Sequence, residues 1–326
     1  MVSAAFAERL RPTGSSRFAF FVPQTVSLTT MTASVSLDSL TELERLALAA
    51  RRLGGGILAE DLRNNGAGGT ELSGYRDYAA GDDRTHVDWN VCARHDELRV
   101  RQYGGRPDRH VRVLLDCSAS MGLGAPAARL DVARRIAAAL GYVALDRQHK
   151  VTVVPFADRV QKAVGPLRGK GRAGKLLREL ERLSPRSQPT DFHRVAERFV
   201  RIDQTPGPVV VVSDLCPADT FTAGLNVLRM ADCSPRVVHV ADTHEPETIT
   251  AGDIELFDVE SGSVWQVTLT ESQVRKVRRL LAEQQAAPVA YCSKFRVPYV
   301  RVGLDETDGG FLQDVVATRS IPRIPT

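Results

Sequence analysis

The chain has 326 residues, of which 43% are hydrophobic and 25% charged, and this composition is typical of a globular protein. A chain of this length can bury a core large enough to fold without a structural metal or a disulfide framework. The 43 basic and 39 acidic residues leave a formal net charge of only +4, which gives no indication of a nucleic-acid partner.

Residues 1–36 contain Gly, Ser, Thr and Pro without sustained periodicity, which predicts a disordered leader. The apolar run Phe18–Val22 is interrupted by Pro23 and Gln24, so we do not expect a secretion signal, and Met31 stays open as an alternative start. No apolar run approaches the ~20 residues that cross a bilayer. The five cysteines form no CxxC pair, and we therefore expect a cytoplasmic location.

Residues 37–109 are predicted to form an N-terminal helix and a small β-containing segment. Capping residues near Leu37 begin the helix, and Gly54–Gly56 end it. The remainder is polar and punctuated by glycine, except at Glu97–Tyr103. That stretch alternates apolar and polar residues and predicts a half-buried strand.

From residue 110 onward, apolar strands alternate with amphipathic helices. Predicted strands lie at 110–116, 150–156, 208–214, 236–240, 254–259, 263–269 and 297–302, and predicted helices at 129–146, 173–183, 191–202, 220–231 and 271–285. This alternation predicts an α/β fold with a doubly wound, mainly parallel sheet and helices on both faces. We assign residues 110–305 to this domain and residues 306–326 to a C-terminal tail.

Two strongly apolar strands of the predicted sheet end in aspartate, at Asp116 and Asp214. Parallel strands place their carboxyl ends at one edge of the sheet, where such folds bind ligands. Two neighbouring carboxylates repel each other unless a cation lies between them or one takes up a proton. Ser118 and Ser120 follow Asp116 at alternate positions, and Thr190 precedes a predicted helix. The carboxylate and hydroxyl oxygens of these five residues are ligands that suit Mg²⁺, Mn²⁺ or Ca²⁺ rather than zinc or copper.

Each of these residues also has an ordinary structural explanation. Aspartates at strand ends cap helices or begin turns, and Ser118 and Ser120 fit a turn. Thr190 fits the N-cap of the helix that follows it. Only the combination of the five residues on strands expected to be parallel favours a metal site.

The sequence Asp116-Cys117-Ser118-Ala119-Ser120 resembles the metal-ion-dependent adhesion site of von Willebrand factor A domains. That pattern also requires a threonine and an aspartate from two further loops, and Thr190 and Asp214 follow in this order. The resemblance covers about residues 110–305. It implies that Ser118, Ser120 and Thr190 coordinate a metal, with Asp116 and Asp214 binding directly or through water. A partner protein's Asp or Glu would fill an open coordination position.

The segment Tyr75–Arg94 resembles the signature of the bacterial domain of unknown function 58 family. The matching residues are Arg76, Tyr78, Gly81, Asp82, Arg84, Asp88, Trp89, Ala93 and Arg94. Many such proteins carry two transmembrane helices upstream, and we expect this chain to resemble the shorter, soluble branch. We interpret the segment as structural, with Trp89 packed in the core, and a direct partner-binding role of the segment is the alternative. Because relatives are encoded beside MoxR-type AAA+ ATPases, the resemblance implies an adaptor for such an ATPase, without enzymatic activity.

Two other functions stay open. An aspartate at the end of the first strand is also found in Mg²⁺-dependent phosphoryl-transfer enzymes such as haloacid-dehalogenase-like phosphatases. Those phosphatases need a second acid two positions on, where this chain has Ser118. Neither a phosphate-binding P-loop nor a nucleophile elbow occurs. The third hypothesis is a scaffold whose metal site is empty.

Overall fold

A six-stranded sheet forms the centre of the molecule. The computed structural model describes residues 20–21, 41, 44, 72–78, 87–89, 91–92, 98–103, 110–123, 129–186, 190–242, 249–257 and 264–304. Within these ranges, none of the helices combines the length and the apolar character needed to span a membrane.

The strands and helices of the α/β domain follow the predicted alternation. The strands in chain order are β1 (Phe20–Phe21), β2 (Leu72–Asp77), β3 (Arg99–Tyr103), β4 (His110–Asp116), β5 (Lys150–Phe156), β6 (Val164–Arg168), β7 (Gly207–Ser213), β8 (Cys233–Ala241), β9 (Gly252–Phe257), β10 (Val264–Leu269) and β11 (Tyr299–Gly303). The helices are α1 (Arg129–Asp146), α2 (Ala173–Glu181), α3 (Phe192–Ile202), α4 (Ala218–Met230) and α5 (Glu271–Phe295).

The central sheet has the strand order β11-β8-β7-β4-β5-β6. All of its neighbouring strands are parallel except β5 and β6, which are antiparallel. The strand order reverses at β4, because the chain adds β5 and β6 on one side of β4 and then crosses back to place β7 on the other side. This topology confirms the predicted doubly wound, mainly parallel sheet.

Two apolar clusters cover the two faces of the sheet. One cluster joins Val111, Val113 and Leu115 of β4 to buried residues of α1 and α2. The other joins Leu114 of β4 to buried residues of β7, α3, α4 and the end of α5. Strands β4 and β7 are therefore buried on both sides, which explains their nearly continuous runs of valine and leucine.

Within the α/β domain, one strand and the end of one helix differ clearly from the sequence prediction. The edge strand β6 was not predicted because Gly165 and Pro166 interrupt its apolar pattern, and an edge strand tolerates both. Helix α5 continues through Pro288 to Phe295, beyond the predicted end at residue 285. Pro288 and Cys292 are buried in this extension, and their packing stabilises the helix past the proline.

Segments before residue 110 contribute strands to two small sheets. Strand β2 pairs with β3, whose position agrees with the prediction, and β1 pairs with β9 beside β10. Strand β1 lies within the predicted leader. The remaining residues of that leader, most of the predicted helix after Leu37 and the tail at 306–326 lie outside the described residues.

The expectation that Trp89 packs in the core is wrong, since 64% of its surface is exposed. It belongs to a short helical turn whose two preceding residues, Val87 and Asp88, take the buried positions. Val87 pairs with Val100 of β3, and the Asp88 amide donates to the Arg99 carbonyl at 3.0 Å. These contacts anchor the turn and leave the indole outside.

Candidate metal centre

The site begins where β4 and β7 end side by side. These strands are parallel, with Leu115 opposite Val212, so the next residues along each strand are also neighbours. The Ser213 hydroxyl donates a hydrogen bond of 2.6 Å to Oδ2 of Asp116. Asp116 is completely buried. Its carboxylate is therefore fixed at the carboxyl edge of the sheet.

The loop after Asp116 brings two hydroxyl groups together. The backbone amide of Ser118 donates to Oδ1 of Asp116 at 2.9 Å, and this bond folds the loop back onto the carboxylate. Ser118 then precedes a 3-10 turn, but its side chain makes no capping hydrogen bond. Its hydroxyl instead lies 3.0 Å from the hydroxyl of Ser120. Arg129 donates to the Ser120 carbonyl at 3.2 Å and holds the turn in place.

Asp214 follows Ser213 directly and is also buried. One carboxylate oxygen, Oδ1, accepts a hydrogen bond of 3.2 Å from the Cys216 amide, so Asp214 does begin a turn. The other oxygen, Oδ2, is buried and has no hydrogen-bond partner among the described residues. The turn therefore accounts for only one of the two oxygens.

Thr190 is buried at the start of α3 but does not cap that helix. The N-cap is Asp191, whose side chain accepts a hydrogen bond from the Arg194 amide. Within the described part of the chain, Oγ1 of Thr190 has no hydrogen-bond partner. The ordinary explanation of Thr190 as an N-cap is therefore wrong.

Contacts on both sides of Thr190 place its loop at the same edge of the sheet. The ring of Phe192 lies 5.4 Å from that of Phe156, the last residue of β5, measured between centroids. On the other side, the Arg186 amide donates to the Cys117 carbonyl at 2.8 Å. The described residues on either side of Thr190 thus contact the end of β5 and the loop that carries Ser118.

The electrostatics of the site are dominated by its two acids. Burial, followed by repulsion from the Asp214 carboxylate, raises the pKa of Asp116 to about 7. Hydrogen bonds from Ser213 and Ser118 oppose this rise but do not cancel it. The two carboxylates are therefore close enough to repel each other, as the sequence predicted.

The residues that meet here fit a hard divalent cation. They offer two carboxylates and hydroxyl groups, the oxygen ligands that Mg²⁺, Mn²⁺ and Ca²⁺ prefer. Leaving a buried polar atom without a partner costs about 1–3 kcal/mol. A cation between Asp116 and Asp214 would reduce their repulsion and provide a partner for Oδ2 of Asp214 and Oγ1 of Thr190.

Two supporting residues were missed at the sequence level. Ser213 could have been suspected, because it directly precedes Asp214 at the end of a strand predicted to lie parallel to the Asp116 strand, and the observed register places it beside Asp116. His239 is buried beneath the site, where it hydrogen-bonds the Asp214 backbone and lies 2.7 Å from the Tyr299 hydroxyl. Burial lowers the pKa of His239 to about 3, so the ring is neutral. No local sequence pattern indicates this contact.

The family model described as "Protein of unknown function DUF58" matches residues 74–287. The chain belongs to the DUF58 family. This DUF58 chain is 24% identical over 251 residues to the uncharacterized protein Rv1480 of Mycobacterium tuberculosis, covering 76% of this chain and 78% of that protein. The uncharacterized protein Mb1516 of Mycobacterium bovis matches with the same identity and coverage.

Solved structures similar to this DUF58 chain include BatB from Bacteroides thetaiotaomicron, at 19% identity and a TM-score of 0.38, covering 64% of this chain and 97% of that one. An aerotolerance-related membrane protein from Bacteroides fragilis has 17% identity and a TM-score of 0.35, with 64% and 98% covered. Proximal thread matrix protein 1 from the mussel byssus, solved with zinc in its MIDAS motif, has 13% identity and a TM-score of 0.34, with 64% and 45% covered.

Proposed function

We propose that this chain is a divalent-metal-dependent protein-binding module. The metal is held by Asp116, Ser118, Ser120, Thr190 and Asp214. The observation that carries the proposal is the pair of buried oxygens, Oγ1 of Thr190 and Oδ2 of Asp214, that lack a hydrogen-bond partner among the described residues. They belong to two separate loops at the edge where Asp116 and Asp214 repel each other. Mg²⁺ is the metal we expect, with Mn²⁺ and Ca²⁺ as alternatives.

Each residue has a defined part in this module. Asp116 and Asp214 provide the negative charge that attracts the cation, and the hydrogen bonds from Ser213 and Ser118 fix the Asp116 rotamer. Ser118, Ser120 and Thr190 provide neutral oxygens. When bound, the cation supplies a positive, Lewis-acidic position for a partner's Asp or Glu carboxylate. Binding of the partner thus depends on the metal.

We infer binding rather than catalysis from the environment of Asp116. An aspartate that accepts a phosphoryl group must present an oxygen to its substrate. Each oxygen of Asp116 accepts one hydrogen bond, from Ser118 or Ser213, which leaves lone pairs for a cation, but the side chain is completely buried and exposes no oxygen to a phosphoryl substrate. A phosphatase assay with para-nitrophenyl phosphate and Mg²⁺ tests this inference. Turnover that is lost on Asp116→Asn would contradict it.

We propose further that the partner is a MoxR-type AAA+ ATPase and that the chain is its adaptor. Membership of the DUF58 family supports this partner. The resemblance of Tyr75–Arg94 to that family implies it, because relatives are encoded beside MoxR-type ATPases. Co-purification from the native cell, with and without chelator, tests it. The ATPase should be recovered with the wild-type chain in Mg²⁺ and lost in chelator or on Asp116→Ala. Equal recovery under all three conditions would contradict the proposal.

Metal binding itself is tested by thermal unfolding. A ligand that binds only the folded state stabilises it by about 2.7 kcal/mol at a hundred times its dissociation constant. For a domain of this size that corresponds to a rise in Tm of roughly 5–10 °C. We expect this rise in millimolar Mg²⁺ for the wild-type chain and its loss on Asp116→Asn. No rise with Mg²⁺, Mn²⁺ or Ca²⁺ would favour the scaffold with an empty site.

A further inference from the structure

Positive charge is concentrated in one stretch of the α/β domain. Residues 159–186 contain nine Lys or Arg and two Glu, a net charge of +7, whereas the whole chain carries only +4. All nine of these basic residues are exposed. The stretch covers the edge strand β6, helix α2 and the loop that leads toward Thr190.

The basic residues of α2 lie along its solvent side. Leu176, Leu177 and Leu180 are buried against the sheet and α1. The opposite side carries basic residues spaced by three or four positions, which places them near one another on a helix. We call these residues, together with the arginine that follows in the loop, the basic stripe: Arg172, Lys175, Arg178, Arg182 and Arg186.

The basic stripe leads to the candidate metal centre. Strand β6 is antiparallel to β5 and so runs toward the amino edge of the sheet, and α2 returns toward the carboxyl edge. Helix α2 has nine residues, so this return covers roughly 14 Å. At its end, Arg186 pairs with Ser118, and its amide donates to the Cys117 carbonyl at 2.8 Å. The stripe therefore ends beside a proposed metal ligand.

Part of the charge of the basic stripe is not neutralised by the residues that the structure describes. Glu179 lies within the stripe and forms an ion pair of 3.0 Å with Arg182. Lys175 and Arg178 have no ion-pair partner in the part of the chain that the structure describes. Two cationic groups in the middle of α2 are therefore available to an anion from outside the molecule.

We propose that the basic stripe binds an acidic polypeptide segment of the partner protein, one of whose carboxylates reaches the metal. This inference rests on the proposed function and specifies the partner's chemistry. An extended peptide advances about 3.3 Å per residue, so four or five residues match the length of α2. Acidic residues along that segment would face the stripe while its end reaches the metal centre.

An acidic peptide fits the stripe better than nucleic acid does. Residues 159–186 contain no Phe, Tyr or Trp, so this surface lacks the aromatic platforms on which single-stranded bases stack. A peptide carboxylate also suits both ends of the surface, since it pairs with Lys and Arg and is a hard ligand for Mg²⁺. A carboxylate-rich segment could thus bind both the basic stripe and the candidate metal centre.

The test uses the full chain and fluorescein-labelled decaglutamate, with binding followed by fluorescence anisotropy in Mg²⁺. The stripe variant is Lys175→Gln with Arg178→Gln. The matched control is Arg275→Gln with Lys276→Gln, which removes the same two charges from the exposed side of α5. We expect the stripe variant to bind about fivefold more weakly than wild type, and the control to bind as wild type does. Chelator should weaken binding to the wild-type chain, because a peptide carboxylate can then no longer bind the metal.

The experiment distinguishes failure of the acidic-segment proposal from failure of the proposed function. Equal affinity of the stripe variant and the control would overturn the acidic-segment proposal, while a retained rise in Tm with Mg²⁺ in both would leave the proposed function standing. No rise in Tm with Mg²⁺ in the wild type would instead overturn the proposed function. Binding to oligodeoxythymidylate or to phosphatidylserine vesicles that is tighter than to decaglutamate, and is lost in the stripe variant, would overturn the choice of partner.

Discussion

The buried oxygen of Thr190 distinguishes a binding role from a structural one. A structural threonine in this position would use its hydroxyl to cap the helix, but Asp191 performs that role. The Thr190 hydroxyl is buried away from water and has no hydrogen-bond partner among the residues that the structure describes. The proposed metal would be its partner, so a substitution at Thr190 should change metal affinity without weakening the fold.

Replacing Thr190 with valine should reduce the metal response without weakening the fold. Thr190→Val keeps the side-chain shape and removes a buried hydroxyl that has no hydrogen-bond partner in the described ranges, so metal-free stability should be unchanged or about 1 kcal/mol higher. The rise in Tm with Mg²⁺ should shrink. The matched control is Thr152→Val, whose hydroxyl is 2.7 Å from Nε2 of His110. That variant should lose about 1 kcal/mol and keep the full Mg²⁺ response. Equal Mg²⁺ responses would contradict the role of Thr190.

Far from the metal centre, Arg112 is completely buried and depends on Asp203. Its guanidinium lies 3.5 Å from the Asp203 carboxylate and donates to the Thr205 carbonyl. Asp203→Ala should destabilise the fold by about 2–3 kcal/mol, at the low end for a buried pair because that carboxylate is 21% exposed. The double variant Arg112→Met with Asp203→Ala should recover part of this loss in urea denaturation. A double variant less stable than Asp203→Ala alone would refute the explanation.

At the scale of the elements, prediction succeeded where the apolar pattern is long and uninterrupted. Strands β4 and β5 and helix α1 have the predicted bounds because each carries several consecutive buried residues. Strand β6 was missed because its strand character depends on pairing with β5, which a local pattern does not contain. The end of α5 was missed because packing around Pro288 outweighs the helix-breaking tendency of proline.

The contact between α3 and α4 is expected to control the position of Thr190. A Cβ added to Gly224 of α4 would lie 2.7 Å from the Phe192 carbonyl oxygen, a backbone atom that cannot easily move. Gly224→Ala should therefore cost about 2–3 kcal/mol and lower the affinity for Mg²⁺, because Phe192 begins the helix after Thr190.

Gly141→Ala provides the control for this contact. Its added Cβ would meet the terminal Cδ2 of Leu176 at 2.5 Å, and that flexible atom can rotate away. We expect it to cost less than about 1 kcal/mol and to leave Mg²⁺ affinity unchanged. Thermal melts and Mg²⁺ titrations of both variants measure the difference, and similar losses in the two would show that the α3–α4 contact has no special role.

At the scale of the whole molecule, the sequence predicted that the loops after Asp116 and Asp214 lie at one edge of the sheet, but not what supports them. Asp116 and Asp214 lie at one edge because the two strands are parallel, and a sequence pattern can indicate this. The support from His239 and Tyr299 arises from β8 and β11, which meet only in the folded sheet. Trp89 was misplaced because its apolar character suggested burial, whereas neighbouring side chains fill the buried positions.

The α/β domain is expected to fold without the residues before it. Every residue of the three described apolar clusters lies between Val111 and Leu304. A fragment of residues 110–305 should therefore unfold cooperatively and keep the rise in Tm with Mg²⁺, since the five proposed ligands are all inside it. Circular dichroism melts with and without Mg²⁺ measure both properties. A fragment without a cooperative transition would show that the preceding segment is part of the folding unit.

Strand β6 also has a consequence for how copies of this protein meet. The open edge of a sheet is a template on which another chain can add a strand, and proteins protect such edges. Pro166 provides no backbone N–H, and Gly165 has a φ of +124° and approaches the Val151 carbonyl so closely that a Cβ would clash. An incoming strand would meet an edge of five residues that lacks the backbone donor at Pro166. The fold thus discourages edge-to-edge polymerisation along β6.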